Sequence, residues 1–282
     1  MKFRGWIALD IDGTITTDKY SVPEQVLKYL KKLTQMGWKI VLITGRSKTF
    51  SNDILNCFDF PIFFSAQNGA ITFKMPENKI IDINLLDNKI LFEVERLNKD
   101  LGNGIIVNAG IDSGKCYWLK HALSNDMKVF MRDLVERQKT KGVEVDSFEE
   151  IELDNFLTIK CIGVLEKITK LSEDLKKINI GEMSIIQDPF DRKYYVLQIT
   201  KNGVNKGFAL KKIIEKFGCR GKIIAAGNDN NDASLLGVAD IKIAMADSPD
   251  VLIEAADYVA PPAEELGIIF TLKQIMEKID DL

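Results

Sequence analysis

The chain has 282 residues and a net charge of −3, with 46% hydrophobic and 28% charged residues, a balance typical of a globular protein of one or two domains. This charge supplies no basic field for nucleic acid or an anionic membrane, so we expect neither partner. No apolar run reaches the ~20 residues of a membrane span and no signal-peptide core is present, so we expect a cytoplasmic protein. We also expect a monomer or a weak homodimer.

The thiols and the single histidine offer little chemistry. Cys57, Cys116, Cys161 and Cys219 are widely spaced and form no CxxC pair, so we expect neither zinc nor disulfides. A serine-type or cysteine-type triad would depend wholly on His121, and we expect no such triad.

The first predicted elements alternate between strands and helices. An apolar run at 6–11 predicts a buried strand that ends in a turn. Residues 21–24 match a capping box, which predicts a helix that ends at Gly37. Apolar runs at 38–43 and 61–65 predict two more strands. This alternation predicts a doubly wound parallel sheet, in which ligands bind beyond the carboxyl ends of the strands.

Two acidic residues lie at the end of the first predicted strand. Asp10 and Asp12 are two residues apart, so their side chains converge if the extended geometry persists. Two close carboxylates repel each other unless a cation or a shared proton relieves them, and Mg²⁺ is the simplest relief. The alternative is a pair of turn acids that accept hydrogen bonds from local N–H groups.

The middle of the chain has a different pattern. Residues 84–197 contain predicted helices and strands that indicate an antiparallel sheet with helices on one face. We therefore predict a core of residues 1–83 and 198–282 and an inserted domain of residues 84–197. The segment at 110–116 is similar to a P-loop, but it is one residue short and has a cysteine in place of Ser/Thr, so we expect no ATP binding there.

Three further polar segments follow strands or open helices. Thr44, Gly45 and Arg46 follow the second strand, where a hydroxyl and backbone N–H groups suit a phosphate, with a plain turn as the alternative. Lys206 opens a predicted helix, whose dipole disfavours a cation there, so it either has an anionic partner or is solvated. Residues 228–232 follow the predicted strand 222–227 as an oxygen-rich turn of the kind that hard cations use, or as a capped loop.

Together these segments resemble the haloacid dehalogenase superfamily. The matches are DIDGT at 10–14, TGR at 44–46, the lysine of NKG at 206 and GNDNND at 227–232. QNGA at 67–70 also resembles the segment after the third core strand in Cof-type phosphatases, whose α+β cap of the second type enters after it. The resemblance covers essentially the whole chain. It implies an α/β, Rossmann-like core with an inserted α+β cap domain that selects the substrate.

The resemblance also implies roles for the site residues. Asp10 would be the nucleophile and Asp12 the general acid and base, while Thr44 and Lys206 would hold the phosphoryl oxygens. Further contacts with the phosphate are expected from Gly13, Thr14, Gly45, Arg46 and Asn231.

Mg²⁺ would be held by Asp10, by the Asp12 carbonyl and by a residue of the last motif. In that motif Asn228 stands where the family usually has Asp, so either Asn228 or Asp229 is the ligand, and Asp232 is a further candidate.

The expected function is that of a Mg²⁺-dependent phosphatase. It would hydrolyse a small phosphorylated metabolite, such as a sugar phosphate, through an aspartyl-phosphate. One alternative is a phosphosugar mutase, which uses the same chemistry. The other is a catalytically weakened phosphometabolite-binding protein, which only Asn228 suggests.

Overall fold

A computed structural model of the chain describes residues 3–109, 114–119, 123–151, 155–188, 191–218 and 221–280. His121, Cys219 and residues 110–113 of the P-loop-like segment lie outside the described residues. The chain divides into two compact units. The first comprises Met1–Thr44, Ser51–Ile83 and Asn205–Leu282, and the second comprises Gly45–Phe50 and Asn84–Val204.

The helices and strands of the described part of the chain are as follows. The strands are β1 (Gly5–Leu9), β2 (Trp38–Ile43), β3 (Ile62–Ala66), β4 (Ile71–Met75), β5 (Lys79–Ile83), β6 (Leu86–Asp87), β7 (Gly104–Ala109), β8 (Lys115–Leu119), β9 (Lys141–Val145), β10 (Asn155–Phe156), β11 (Thr158–Gly163), β12 (Glu182–Gln187), β13 (Tyr195–Thr200), β14 (Lys222–Gly227), β15 (Ile241–Met245) and β16 (Tyr258–Ala260). The α-helices are α1 (Glu24–Gln35), α2 (Lys48–Asn56), α3 (Asn88–Asn98), α4 (Asn125–Arg137), α5 (Leu165–Lys177), α6 (Lys206–Phe217), α7 (Ala233–Leu236), α8 (Asp250–Ala255) and α9 (Gly267–Asp280).

The first unit is built on an eight-stranded sheet. Its strand order is β16-β15-β14-β1-β2-β3-β4-β5. The strands from β16 to β3 are parallel, as the alternation of strands and helices predicts, and an antiparallel hairpin, β4 and β5, extends one edge. Because β1 and β14 are neighbours, the turns that follow them lie side by side at the carboxyl edge.

The second unit has its own six-stranded sheet in the order β12-β13-β11-β7-β8-β9. The pairs are antiparallel except for β8 and β9, which run parallel. Helices α3 and α5 belong to one apolar cluster and α4 to another, and the adjacent residues Ile106 and Val107 of β7 contribute to different clusters. Since neighbouring strand residues point to opposite faces, helices cover both faces, and the expectation of helices on one face is wrong.

Two predicted boundaries shift in the structure. The capping box at 21–24 is absent, because α1 begins at Glu24 behind Pro23 without a side-chain cap. Ser21 instead donates its backbone N–H to Asp18 at 2.8 Å. At the other boundary, β13 runs to Thr200 and pairs with β11 and β12, so the second unit extends past residue 197. No helix among the described residues is long and apolar enough to cross a membrane.

Candidate active site

Asp10 stands at the carboxyl end of β1, in the interior of the first unit. Its backbone N–H donates to the Ala226 carbonyl of β14 at 3.0 Å, so the strand pairing continues to the residue itself. The Asp10 side chain is buried, whereas Asp12 is half-buried. In the turn that follows β1, the Ile11 carbonyl accepts hydrogen bonds from the N–H groups of Thr14 and Thr16. These hydrogen bonds fix the path of the loop.

Lys206 is a fully buried lysine that lies between two carboxylates. Its Nζ is 2.6 Å from Asp10 Oδ1 and 2.7 Å from Asp232 Oδ1, and its side chain is only 1% exposed. Helix α6 begins at this residue, behind Asn205, whose side chain accepts the Phe208 N–H as an N-cap. The structure thus supplies the anionic partners that a lysine at a helix N-terminus needs.

Asp232 connects Lys206 to the loop after β14. Its Oδ1 accepts from Lys206, and its Oδ2 accepts the backbone N–H groups of Asn228 at 3.0 Å and Asp229 at 3.1 Å. The sequence offers Asp232 as a candidate metal ligand. In the structure one of its oxygens accepts from the lysine and the other from two N–H groups of the loop, so Asp232 contacts both.

Asn228 and Asp229 have different surroundings. Asp229 Oδ1 accepts the Asn230 N–H at 2.6 Å, and its carboxylate forms a capping box with Asp232. The side-chain amide of Asn228 faces Gly13, since a Cβ at Gly13 would lie 2.2 Å from Asn228 Nδ2. Asn228 therefore reaches the loop that contains Asp12, while the Asp229 side chain caps its own turn.

Thr44 directly follows β2, and its backbone bonds to the end of β3 and to the turn after it. Its N–H donates to the Ser65 carbonyl at 3.0 Å, and its own carbonyl accepts the Asn68 N–H at 2.8 Å. Asn68 Oδ1 in turn accepts from Asn231 Nδ2 at 3.3 Å. Nothing in the sequence gives Asn68 a role, apart from its place in the QNGA match.

Two predicted phosphate-binding residues, Gly45 and Arg46, belong to the second unit, and a third, Thr14, lies in the first unit. The backbone of Gly45 accepts from Lys160 Nζ at 3.2 Å, and the Arg46 guanidinium lies 4.5 Å from the centre of the Phe50 ring. Thr14 is fully buried, and its Oγ1 has no hydrogen-bond partner among the described residues.

The pKa values of Asp10 and Lys206 differ from those of exposed aspartate and lysine side chains. Burial raises the pKa of Asp10 to about 8, against the lowering effect of Lys206 and with the help of the Asp232 and Asp12 charges. Burial alone would lower the pKa of Lys206, but Asp10 and Asp232 outweigh it and raise that pKa. Lys206 therefore stays protonated, and its ammonium group contacts two acidic side chains, Asp10 and Asp232, while the nearby Asp12 charge acts on Asp10.

This excess of negative charge fits a divalent cation. Asp10, the Asp12 carbonyl and the Asn228 amide are oxygen donors of the kind that hard ions use. Within the described ranges, no group of three or more His, Cys, Asp or Glu side chains is arranged to hold a metal ion. A donor set built from Asp10, the Asp12 carbonyl and Asn228 would be mixed, with a carboxylate, a backbone carbonyl and a carboxamide.

Several known proteins are similar to this chain over most of its length. The profile of the haloacid dehalogenase-like hydrolases matches residues 7–272. A 5-amino-6-(5-phospho-D-ribitylamino)uracil phosphatase from Bacillus subtilis (strain 168) is 23% identical over 265 residues, which cover 93% of this chain and 92% of that protein. A phosphoglycolate phosphatase from Methanobrevibacter smithii is 24% identical over 254 residues, which cover 90% of each chain.

A solved haloacid dehalogenase-like hydrolase from Bacteroides thetaiotaomicron superposes with a TM-score of 0.75 at 21% identity, over 97% of this chain and all of that one. The superposition confirms the predicted fold class. The profile match and the named relatives confirm the predicted resemblance to Cof-type phosphatases and the predicted enzyme class, a phosphoric monoester hydrolase.

Proposed function

Because the chain belongs to the haloacid dehalogenase-like hydrolases, we propose that it removes phosphate from a small phosphorylated metabolite by way of a phosphoryl group on Asp10. The observation that carries this proposal is Lys206, which is fully buried and contacts Asp10 and Asp232 at once. A buried ion cluster of this kind is costly for stability, and such clusters are typical of catalytic sites.

In the first step an Asp10 carboxylate oxygen attacks phosphorus. The bond between phosphorus and the ester oxygen breaks, and Asp12 gives its proton to the departing alkoxide, so that an alcohol and an aspartyl-phosphate result. Lys206, fixed by Asp10 and Asp232, provides positive charge for the phosphoryl oxygens, and Thr44 provides a hydroxyl. The half-buried position of Asp12 suits a group that exchanges a proton with a ligand.

In the second step water attacks the phosphorus of the aspartyl-phosphate. Asp12, now a carboxylate, takes a proton from that water, the bond between phosphorus and Asp10 breaks, and inorganic phosphate leaves. Asp10 returns as a carboxylate and Asp12 as a protonated acid, so the cycle closes without another reactant.

The metal in this proposal is Mg²⁺, held by Asp10, the Asp12 carbonyl and Asn228. When bound, it supplies positive charge against the phosphoryl oxygens and offsets the excess of carboxylates around Lys206. We assign Asp229 and Asp232 to the structure of the loop, because the first caps its turn and the second holds Lys206.

For the substrate we propose a phosphate ester of a sugar or of a comparably small polar metabolite. The relatives named above act on a phosphorylated ribityl compound and on phosphoglycolate, which share a phosphate on a small hydroxylated or carboxylated carbon chain. We also propose that the second unit is the cap that selects among such compounds, as the sequence predicts.

The test is release of inorganic phosphate from a panel of sugar phosphates, phosphoglycolate, nucleotides and cofactor phosphates, with Mg²⁺ present and then with excess chelator. We expect release from at least one class of small ester. Asp10→Asn keeps the shape of the side chain but removes the attacking charge, so turnover should fall by ~10³ or more. Asp100→Asn, the same change at an exposed position, is the matched control.

Each alternative has its own outcome. Movement of phosphate within a sugar without release would indicate a mutase, and tight binding without turnover would indicate a phosphometabolite-binding protein. Full activity of the Asp10→Asn variant would remove Asp10 from the proposed role, and full activity in excess chelator would remove the metal.

A further inference from the structure

The turn after β3, residues Gln67, Asn68 and Gly69, contacts three separate parts of the candidate site. We propose that this turn, which we call the QNG turn, positions the phosphate-binding groups, and that Asn68 and Gly69 are positioning residues for the reaction. The inference rests on the proposed function, because it concerns the same site. It adds two residues that neither touch the phosphorus nor bind the metal in that proposal.

The first contact is with Thr44. The Asn68 N–H donates to the Thr44 carbonyl at 2.8 Å, while the Thr44 N–H donates to the Ser65 carbonyl at 3.0 Å. The Thr44 backbone is thus held from both sides, by the last strand residues before the QNG turn and by the turn itself. A change in the turn would move the Thr44 hydroxyl relative to Asp10.

The second contact is with the loop after β14. Asn231 Nδ2 donates to Asn68 Oδ1 at 3.3 Å. Asn231 is next to Asp232, which binds Lys206 through Oδ1 and two loop N–H groups through Oδ2. Asn68 therefore links Thr44, through its backbone N–H, to the loop that holds Lys206, through its side chain.

The third contact is with the start of α6. A Cβ at Gly69 would lie 2.7 Å from the Asn205 carbonyl oxygen and 3.2 Å from Ala209 Cβ. Asn205 caps the helix and immediately precedes Lys206. Only glycine allows the turn to approach the helix this closely, so the distance between the QNG turn and the backbone before Lys206 is set by the missing side chain.

All three residues of the QNG turn have positive φ angles. Gln67 and Asn68 adopt left-handed conformations, with φ of 51° and 54°, and Gly69 has φ of 105°. Gln67 is buried, and its Oε1 has no hydrogen-bond partner in the described part of the chain. Strained residues and unsatisfied buried atoms of this kind persist where the surroundings fix them, and they cluster at functional sites.

Two substitutions separate the contacts. Asn68→Gly keeps the left-handed backbone but removes the bond to Asn231, and Gly69→Ala forces the turn away from Asn205. Matched controls exist for both. Asn78→Gly changes an exposed asparagine with φ of 51° in the β4–β5 turn. Gly218→Ala changes a left-handed glycine at the far end of α6, where an added Cβ meets nothing within 4 Å.

The experiment measures kcat, KM, and binding of inorganic phosphate by calorimetry, after circular dichroism and melting curves have confirmed the folded state of each variant. We expect Gly69→Ala to lower kcat/KM by about 100-fold, the effect of a displacement of catalytic groups of about 1 Å. We expect Asn68→Gly to lower it by roughly threefold to tenfold, the value of one hydrogen bond. Both should weaken phosphate binding, and the two controls should not.

A purely structural role would lower the melting temperature and the active fraction but leave KM and phosphate affinity unchanged, and that result overturns the inference. Equal effects of the variants and their controls overturn it as well. Failure of the proposed function is distinct, because the parent would then release no phosphate from any ester. Phosphate binding still tests the inference in that event. The inference is contradicted if both variants bind phosphate with the affinity of the parent, and also if the parent binds no phosphate.

Discussion

One lysine lies at the carboxyl ends of the parallel strands of the first unit and another at their amino ends, which we call the carboxyl edge and the amino edge. The surroundings of the two lysines differ. At the carboxyl edge Lys206 is buried between Asp10 and Asp232. At the amino edge Lys39, the second residue of β2, lies over aromatic rings, 5.3 Å from the centre of Phe3 and 4.8 Å from that of Trp6. Phe217, at the last position of α6, adds a third ring at 5.4 Å.

Helix α6 contributes to both edges, since it begins at Lys206 and ends at Phe217. At the start of α6, the buried charges have lost their hydration, which costs free energy that apolar packing would not cost. At its end, the aromatic rings bury apolar surface and attract the ammonium group of Lys39. Under the proposed function, the charges at the carboxyl edge cost stability and serve catalysis, whereas the rings at the amino edge contribute to stability alone. Four predictions of unequal size test this difference, one on each of four residues.

The largest effect is expected from Lys206→Met. The substitution keeps a long apolar stem but leaves Asp10 and Asp232 without their shared cation. Turnover should fall by ~10³ or more, and the free energy of unfolding should fall by about 3–5 kcal/mol, as for the loss of one partner from a buried ion pair. Phosphate release and urea unfolding measure the two quantities. Lys211→Met, at an exposed position of the same helix, is the control, and near-parental turnover in Lys206→Met would refute the role of the carboxyl edge.

The next effect in size is expected from Asp232→Asn. Both oxygens of Asp232 accept hydrogen bonds, one from Lys206 and the other from two loop N–H groups. An amide must turn its NH₂ group toward one of those donors, so either the lysine or the loop loses its acceptor. We expect kcat to fall by roughly 10–100-fold, the usual effect of a supporting residue. Unchanged kcat together with an unchanged melting temperature would show that Asp232 does not position Lys206.

Much of the sheet could be predicted from the sequence. The strands at 38–43 and 222–227 match residue for residue, because each is a continuous apolar run bounded by turn residues. The β4–β5 hairpin was not predicted, and most of β5 is exposed or half-buried at the edge of the sheet. Such a strand lacks the apolar run that marks a buried one. Its pairing depends on β4, a partner that local sequence does not specify.

The structure brings three of the candidate residues, Asp10, Lys206 and Asp232, into contact, but the sequence did not predict how they contact one another. The helix dipole left two possibilities for Lys206, an anionic partner or a solvated side chain, and the structure supplies two anionic partners. The role of Asp232 depends on which of its oxygens faces which donor. That arrangement follows from the hydrogen bonds of a folded loop, and spacing cannot give it. Asn68 was missed for the same reason, because its left-handed backbone and its bond to Asn231 become visible only in three dimensions.

A smaller effect at the carboxyl edge is expected from Asn228→Asp. The Asn228 amide faces Gly13 in the loop that contains Asp12, so a carboxylate there adds one negative charge where we propose that Mg²⁺ binds. The affinity for a hard cation rises with the charge of its ligands, and we expect the half-saturating Mg²⁺ concentration to fall by roughly tenfold. Calorimetric titration with Mg²⁺ and the Mg²⁺ dependence of turnover both report this value.

Asn230→Asp adds the same charge at an exposed position of the same loop and serves as the control. A similar gain in both variants would indicate long-range attraction without coordination. Weaker Mg²⁺ binding in Asn228→Asp alone would contradict Asn228 as a ligand and would return attention to Asp229.

The smallest effect is expected at the amino edge. Lys39→Met retains an apolar stem against Phe3, Trp6 and Phe217 but removes the ammonium charge from their rings. Cation–π attraction at a half-buried site is worth about 1 kcal/mol, so the free energy of unfolding should fall by about that amount while kcat and KM stay at their parental values. Urea unfolding of the variant and of Lys211→Met measures the difference. Because α6 connects the two edges, a loss of turnover without a loss of stability in Lys39→Met would show that the amino edge also sets the position of Lys206, and the division of labour between the edges would fail.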